Sequence, residues 1–211
     1  MKKAFVYGVA VVLLVAMLFD RGLHGQQRDN STVQLHVQLQ SGDLLFLYGS
    51  DGGMDEAIRA STGSYTHVAL VECDSSGRVW IIEAVGEGVK RTIRSEWWDC
   101  CFDVYRLNIP FDTAAVIARA KSFIGQPYDN AFLPDNGALY CSELIYEAFL
   151  DSAGNHLFEA KPMNWRDKKG KLPKYWKKHF KKLGVPVPEG VPGTNPTDLS
   201  RSPLLRRQSD E

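Results

Sequence analysis

The chain has 211 residues, 44% of them apolar, enough for one globular domain with extensions. Its 25 basic and 25 acidic residues cancel, so no overall field directs it to nucleic acid or to a polyanionic substrate. Partners must be read from local features.

Lys2 and Lys3 precede an apolar run from Ala4 to Phe19, the layout of an export signal. The run falls short of the roughly 20 residues that span a bilayer, and neither a small-x-small cleavage site nor a lipobox cysteine follows. Segment 1–25 therefore reads as a signal peptide or an uncleaved N-terminal anchor. Either one places the domain outside the cytoplasm, periplasmic or otherwise extracytoplasmic, with membrane association through this segment. A polar linker covers 26–40.

The domain 41–184 opens on "GDLLFLYG", a strand entered through Gly42 and Asp43. A short helix is predicted over Met54–Thr62, stopped by Gly63. "THVALVEC" and "RVWIIEAV" flank "DSSG" and read as a hairpin, and "CFDVYRLN" adds a strand over Cys101–Asn108. "FDTAAVIARAKSFIGQPYD" is a helix with Asp112 as N-cap and Gly125 as its stop. Between Lys168 and Lys182 eight lysines occur, with Trp176, Phe180 and Leu183 able to form one apolar edge; the lysines read as a solvated face, though anionic headgroups attract such clusters. Segment 185–211 is proline-rich, polar and without periodicity, and is expected to be a disordered tail. Strands first and helices after them predict an α+β fold.

In "DNGALYCSELIYEAFL" the residues Leu144, Ile145, Ala148 and Phe149 recur at helical spacing, which puts Cys141 in or beside the first turn. Unpaired N–H groups and the positive end of the helix dipole stabilise a thiolate there. A base is then required. His24 lies in the linker and His36 at the domain edge, and His156 and His179 stand in polar or lysine-rich surroundings. His67 opens "HVALV" directly after a loop, where a side chain is both fixed and reachable. Glu83 is the candidate to orient the imidazole. With a four-residue "DSSG" loop His67 faces Ala84, and a bulge or a loop one residue shorter brings Glu83 opposite. Glu72 competes, but it lies five residues along the same strand from His67 and points to the other face. Among the other cysteines, Cys73 can bridge to Cys100 or Cys101 in an oxidising compartment, and the spacings give no zinc motif.

"GDLLFLYG", "IRASTGSYTHVALVE", "IIEAVGEGV" and "GQPYDNAFLPDNGALYCSELIYEAF", in that order, resemble the blocks of the circularly permuted NlpC/P60 papain-like proteins, the YaeF/YiiX-like amidase branch, over roughly Gly42–Leu150. The superfamily also includes lecithin:retinol acyltransferase-like enzymes. The resemblance implies a nucleophile-bearing helix packed on an antiparallel sheet, with histidine preceding cysteine along the chain. It implies Cys141 as nucleophile, His67 as general base and Glu83 as third member. "YCSELI" stands where classical NlpC/P60 sequences have an aspartate before the cysteine, a departure that argues against classical wall-peptide specificity.

The expected activity is a cysteine-dependent amidase or peptidase working through an acyl-thioester, with Tyr128 and Tyr140 lining the substrate pocket and no cofactor or metal. The substrate is peptide-like or a lipid ester or amide, and a lipid-directed thiol acyltransferase is an alternative. Two other classes compete: a non-catalytic binding or scaffold protein that keeps the fold, and redox work through Cys100 and Cys101.

Overall fold

The computed structural model describes residues 37–97 and 101–208. Its elements in chain order are β1 (Leu44–Leu47), α1 (Gly53–Ser61), β2 (His67–Cys73), β3 (Val79–Val85), β4 (Gly88–Ile93), β5 (Phe102–Leu107), α2 (Thr113–Ser122), α3 (Cys141–Ala148), β6 (Lys161–Pro162), α4 (Lys174–Leu183), β7 (Pro192–Gly193), α5 (Pro196–Ser200) and β8 (Leu205–Arg207). Six strands form one antiparallel sheet in the order β4-β3-β2-β1-β5-β8, and β6 and β7 form a separate ribbon.

β1 reads Leu-Leu-Phe-Leu, and all four residues are buried. A strand tolerates such a run only where both faces of the sheet are covered. On one face Leu44, Phe46, Leu70 and Ile82 meet Leu144 and Ile145 of α3 and Val116 and Ala120 of α2. On the other, Leu45, Ala69, Val71 and Ile81 meet Trp97 and Val104. Each such side chain contributes about 1.5–3 kcal/mol relative to exposure. Asp43, at the entry to β1, is fully buried and is matched by Arg106, whose Nε and a terminal nitrogen reach its two oxygens at 2.7 and 2.8 Å. A third cluster joins Ala57 of α1 to Trp176 and Phe180 of α4 through Phe132, Tyr140 and Trp165.

Several expectations are corrected. Segment 185–208 is ordered: β8 pairs with β5, Leu199 and Leu205 enter the main core, and the Thr197 hydroxyl accepts from Tyr65 N at 3.2 Å. Pairing with a distant strand satisfies backbone groups that this segment cannot satisfy locally. The linker ends sooner than expected, since Val37 and Leu39 pack on the Trp97 side of the sheet. The hairpin loop runs from Asp74 to Arg78, one residue longer than the "DSSG" reading, because the ladder starts at Cys73↔Val79. Asp74 holds that loop by accepting from Ser76 N and Arg78 N at 2.9 and 3.0 Å. Leu183 is exposed, and only Trp176 and Phe180 of α4 are buried. Strand β4 has no counterpart in the sequence reading. Cys73 and Cys101 are both free thiols, so no bridge joins them. Cys100, and the export signal or anchor with His24 and His36, lie outside the described residues. Among the described residues no helix is long and apolar enough to cross a membrane.

Candidate active site

Cys141 is the first residue of α3, following Tyr140 in extended conformation (φ −93°, ψ 170°). The first N–H groups of a helix have no partner inside it; here the Glu143 carboxyl folds back to accept from Tyr140 N at 3.4 Å. At the other end, Arg119 caps the helix by donating to Ala148 O at 2.8 Å and Leu150 O at 3.3 Å. The buried face Leu144, Ile145 and Ala148 fixes α3 against β2 and β3. The sulfur is thereby held on rigid elements, with Cys141 only 6% exposed.

His67 is the first residue of β2. Its Nε2 meets Glu83 Oε2 at 2.8 Å, which leaves Nδ1 as the ring atom for the Cys141 sulfur. Burial disfavours the imidazolium, but hydrogen bonds to Cys141 and Glu83, together with their negative charges, outweigh it and push the His67 pKa up to about 10. Glu83 is nearly fully buried. Burial raises its carboxyl, yet the His67 hydrogen bond and charge and the Trp97 indole hold it below the usual range. The site therefore favours a charged imidazolium beside an ionised Glu83.

The meeting of His67 and Glu83 arises differently from the sequence expectation. The β2–β3 ladder ends at Leu70↔Ile82. Continued unchanged, it would set Val85 opposite His67, with Glu83 diagonal to it on the same face. A loop longer by one residue restores the same facing that a shorter loop would have given. Glu72 is engaged elsewhere, accepting from Arg91 Nε at 2.6 Å and Lys121 Nζ at 3.0 Å. His156 stacks on Tyr146 and bonds its carbonyl, and His179 meets Asn130 O at 2.7 Å.

Two hollows meet at this point. An open cleft of about 660 Å³ holds His67, Glu83, Trp97 and Cys101. A small cavity of about 40 Å³ holds Cys141 and Tyr140. Ile58, Thr66 and Tyr128 line both. Tyr128 thus stands at the junction, its hydroxyl held well above the usual tyrosine range by burial and then by the negative charges of Cys141 and Asp129. Tyr140 lines the cavity, but its hydroxyl also has a structural task, accepting from Thr194 N at 3.0 Å.

A family model for the permuted papain-like amidases of YaeF/YiiX type, the C92 family, matches residues 38–207. The chain belongs to this family. It is accordingly a papain-like cysteine hydrolase, and the C92 match reaches well past Leu150 to include the segment expected to be a tail. The crystal structure of metalloprotein yiiX from Escherichia coli O157:H7 superposes with a TM-score of 0.69 at 23% identity, covering 83% of this chain and 99% of that one. No curated protein matches the chain. The C92 fold explains the order of the site residues: permutation puts the histidine strand before the cysteine helix.

Sequence reasoning missed Trp97, which donates to Glu83 Oε1 at 3.1 Å. "SEWWDC" carries no periodicity that would single it out. Thr66 and Ser142, which line the cavity, flank His67 and Cys141 directly, and that adjacency is the signal that could have found them. Met163, Trp165 and Thr194, on the same wall, are remote in sequence and gave none.

Proposed function

We propose that this C92 hydrolase cleaves an amide with Cys141 as nucleophile, His67 as the proton carrier and Glu83 as the group that orients His67. The observation that carries the reading is the His67 imidazole, held by Glu83 at 2.8 Å and interacting with Cys141. The Cys141 thiolate attacks the carbonyl carbon, and N–H groups at the start of α3, including that of Cys141, meet the resulting oxyanion. His67 delivers its Nδ1 proton to the leaving amine, which departs and leaves a thioester on sulfur. A water then gives a proton to His67 and attacks the thioester, releasing the acid and restoring the Cys141 thiolate beside the His67 imidazolium. Glu83 keeps Nε2 protonated so that Nδ1 is the exchanging atom. Tyr128 and Tyr140 border the substrate.

The yiiX structure is described as that of a metalloprotein. Among the described residues of this chain no group of three or more His, Cys, Asp or Glu side chains is placed to hold an ion, and no step is routed through one. The lysines and apolar run at residues 1–19 support work outside the cytoplasm, near a membrane, on peptide-like amides of a cell envelope.

Iodoacetamide labelling across pH tests the assignment. Iodoacetamide should alkylate Cys141 in the wild type, and His67→Ala should slow that alkylation at neutral pH. An inert Cys141 beside a selectively labelled Cys101 would move the redox class ahead, and a Cys141→Ala protein that keeps its biological activity would favour a scaffold.

A further inference from the structure

Three buried hydroxyl oxygens, Thr66 Oγ1, Ser142 Oγ and Thr194 Oγ1, have no hydrogen-bond partner among the described residues. Their residues are 3%, 0% and 5% exposed. All three line the small cavity that holds Cys141. Native proteins seldom leave buried hydroxyls unmet, because desolvation is then uncompensated. Three around one cavity, beside a nucleophile, mark a place where the partner arrives with the ligand.

Their positions are defined. Thr194 Oγ1 lies beside the Tyr140 hydroxyl, which already accepts from Thr194 N. Thr66 lies where the cavity opens to the cleft, and its hydroxyl sits against Gly49, whose φ is +70° and where a Cβ would come within 2.1 Å of Oγ1. Ser142 follows the nucleophile in α3. The rest of the wall is mostly apolar, with Phe132, Met163, Trp165 and Trp176, and also carries Ser61, Thr62, Asn164 and Asn195.

Size and direction complete the argument. The leaving amine takes its proton from His67, so it must sit on the His67 side, in the cleft of about 660 Å³. The acyl part then lies on the other side of the sulfur, in about 40 Å³. An engineered cavity of about 150 Å³ accepts benzene, so by proportion this one takes roughly two non-hydrogen atoms beyond the carbonyl, a third fitting only where it opens to the cleft at Thr66. A hydrocarbon chain would overfill it and leave the hydroxyls unpaired. Resting on the nucleophile assignment above, we propose that the cavity is the acyl subsite and selects a short acyl group with an amine or hydroxyl on its α carbon, glycyl or alanyl in size, over fatty acyl groups.

The test uses full-length protein and the 7-amido-4-methylcoumarin derivatives of alanine, butyrate and decanoate. Alanyl should exceed decanoyl in kcat/KM by at least about 100-fold, and Ser142→Ala and Thr66→Val should each lower the alanyl-to-butyryl ratio about tenfold or more, as expected where a site built to bond a polar group loses its partner. Met163→Ala lengthens the cavity and should narrow the alanyl-to-decanoyl gap, and melting curves show that each variant is folded. Decanoyl turned over within about threefold of alanyl, or hydroxyl variants that leave the ratio unchanged, would overturn the subsite. So would no turnover of any amide by a Cys141 that iodoacetamide still alkylates. Failure of that alkylation would instead remove the nucleophile assignment, and this subsite with it.

Discussion

Trp97 Nε1 donates to Glu83 Oε1 at 3.1 Å while His67 Nε2 takes Oε2 at 2.8 Å, so the two oxygens of one buried carboxylate are divided between an indole and an imidazole. The indole fixes the carboxylate plane, and the carboxylate fixes the ring. Trp97→Phe keeps an aromatic against Phe102, whose ring lies 5.6 Å away, but removes the donor. Leaving a buried acceptor without its partner costs about 1–3 kcal/mol. If that cost falls on the orientation of His67, kcat drops by about tenfold for each 1.4 kcal/mol while KM stays nearly constant. Steady-state kinetics check this, and an unchanged kcat would reduce Trp97 to packing.

The pH dependence follows from the charges around His67. Its pKa is pushed up to about 10 against burial by Cys141 and Glu83, so the leaving-group proton is retained through neutral pH and lost near 10. The high-pH limb of kcat/KM is expected there. Glu83→Gln removes one of the two causes and should move that limb to lower pH. In stability the sign is the same: the pairing contributes fully below the unfolded histidine value of about 6.5 and is lost as pH rises toward 10. Melting temperatures over that window should fall in the wild type and fall less in Glu83→Gln.

Glu143 gives stability the same pH sign from a different cause. Burial lifts its carboxyl, the Tyr140 N–H opposes, and the charges of Asp129, Glu147 and Asp135 add to the rise, bringing it to about 8. Its folded value thus lies above the unfolded one, 4.5, so its contribution is present at low pH and is lost as pH rises through 8. Glu143→Gln keeps an acceptor for Tyr140 N and removes the charge. It should raise the melting temperature at pH 8, by about 2–4 °C per kcal/mol for a domain of this size, and leave it nearly unchanged at pH 4. A lower melting temperature at pH 8 would mean that the cap outweighs the charge.

The C-terminal segment should be required for folding. Deleting residues 195–211 removes Leu199 and Leu205 from the core, at about 1.5–3 kcal/mol each, and exposes the edge of β5 that β8 covers. Urea unfolding should show a large fall in midpoint or no cooperative transition. Thr197→Val is the milder version. It removes the bonds to Tyr65 N and O at 3.2 and 3.3 Å, and should cost about 1 kcal/mol. A truncated chain with the wild-type midpoint would restore the disordered reading.

The local features of the site were legible in the sequence. Cys141 at a helix start and His67 at a strand start follow from periodicity over a few residues, since the backbone period decides which side chains share a face. The cap of α2 at Asp112, which accepts from Ala115 N at 2.9 Å, was legible for the same reason. Facing between strands was not, because one residue of loop length inverts it, and Asp74 sets that length by hydrogen bonds a propensity does not contain. Nor was the Trp97 bond to Glu83, the exposure of Leu183, or the pairing of β8 with β5. Strand β4 escaped because Lys90 and Arg91 interrupt its apolar pattern, as charges do on an edge strand. Local periodicity and the order of elements along the chain thus determined the class of fold and two of the reacting groups. Tertiary structure decided which carboxylate serves the imidazole and what walls the cavity, because those contacts join residues whose approach is fixed by long-range packing and leave no mark on their neighbours along the chain.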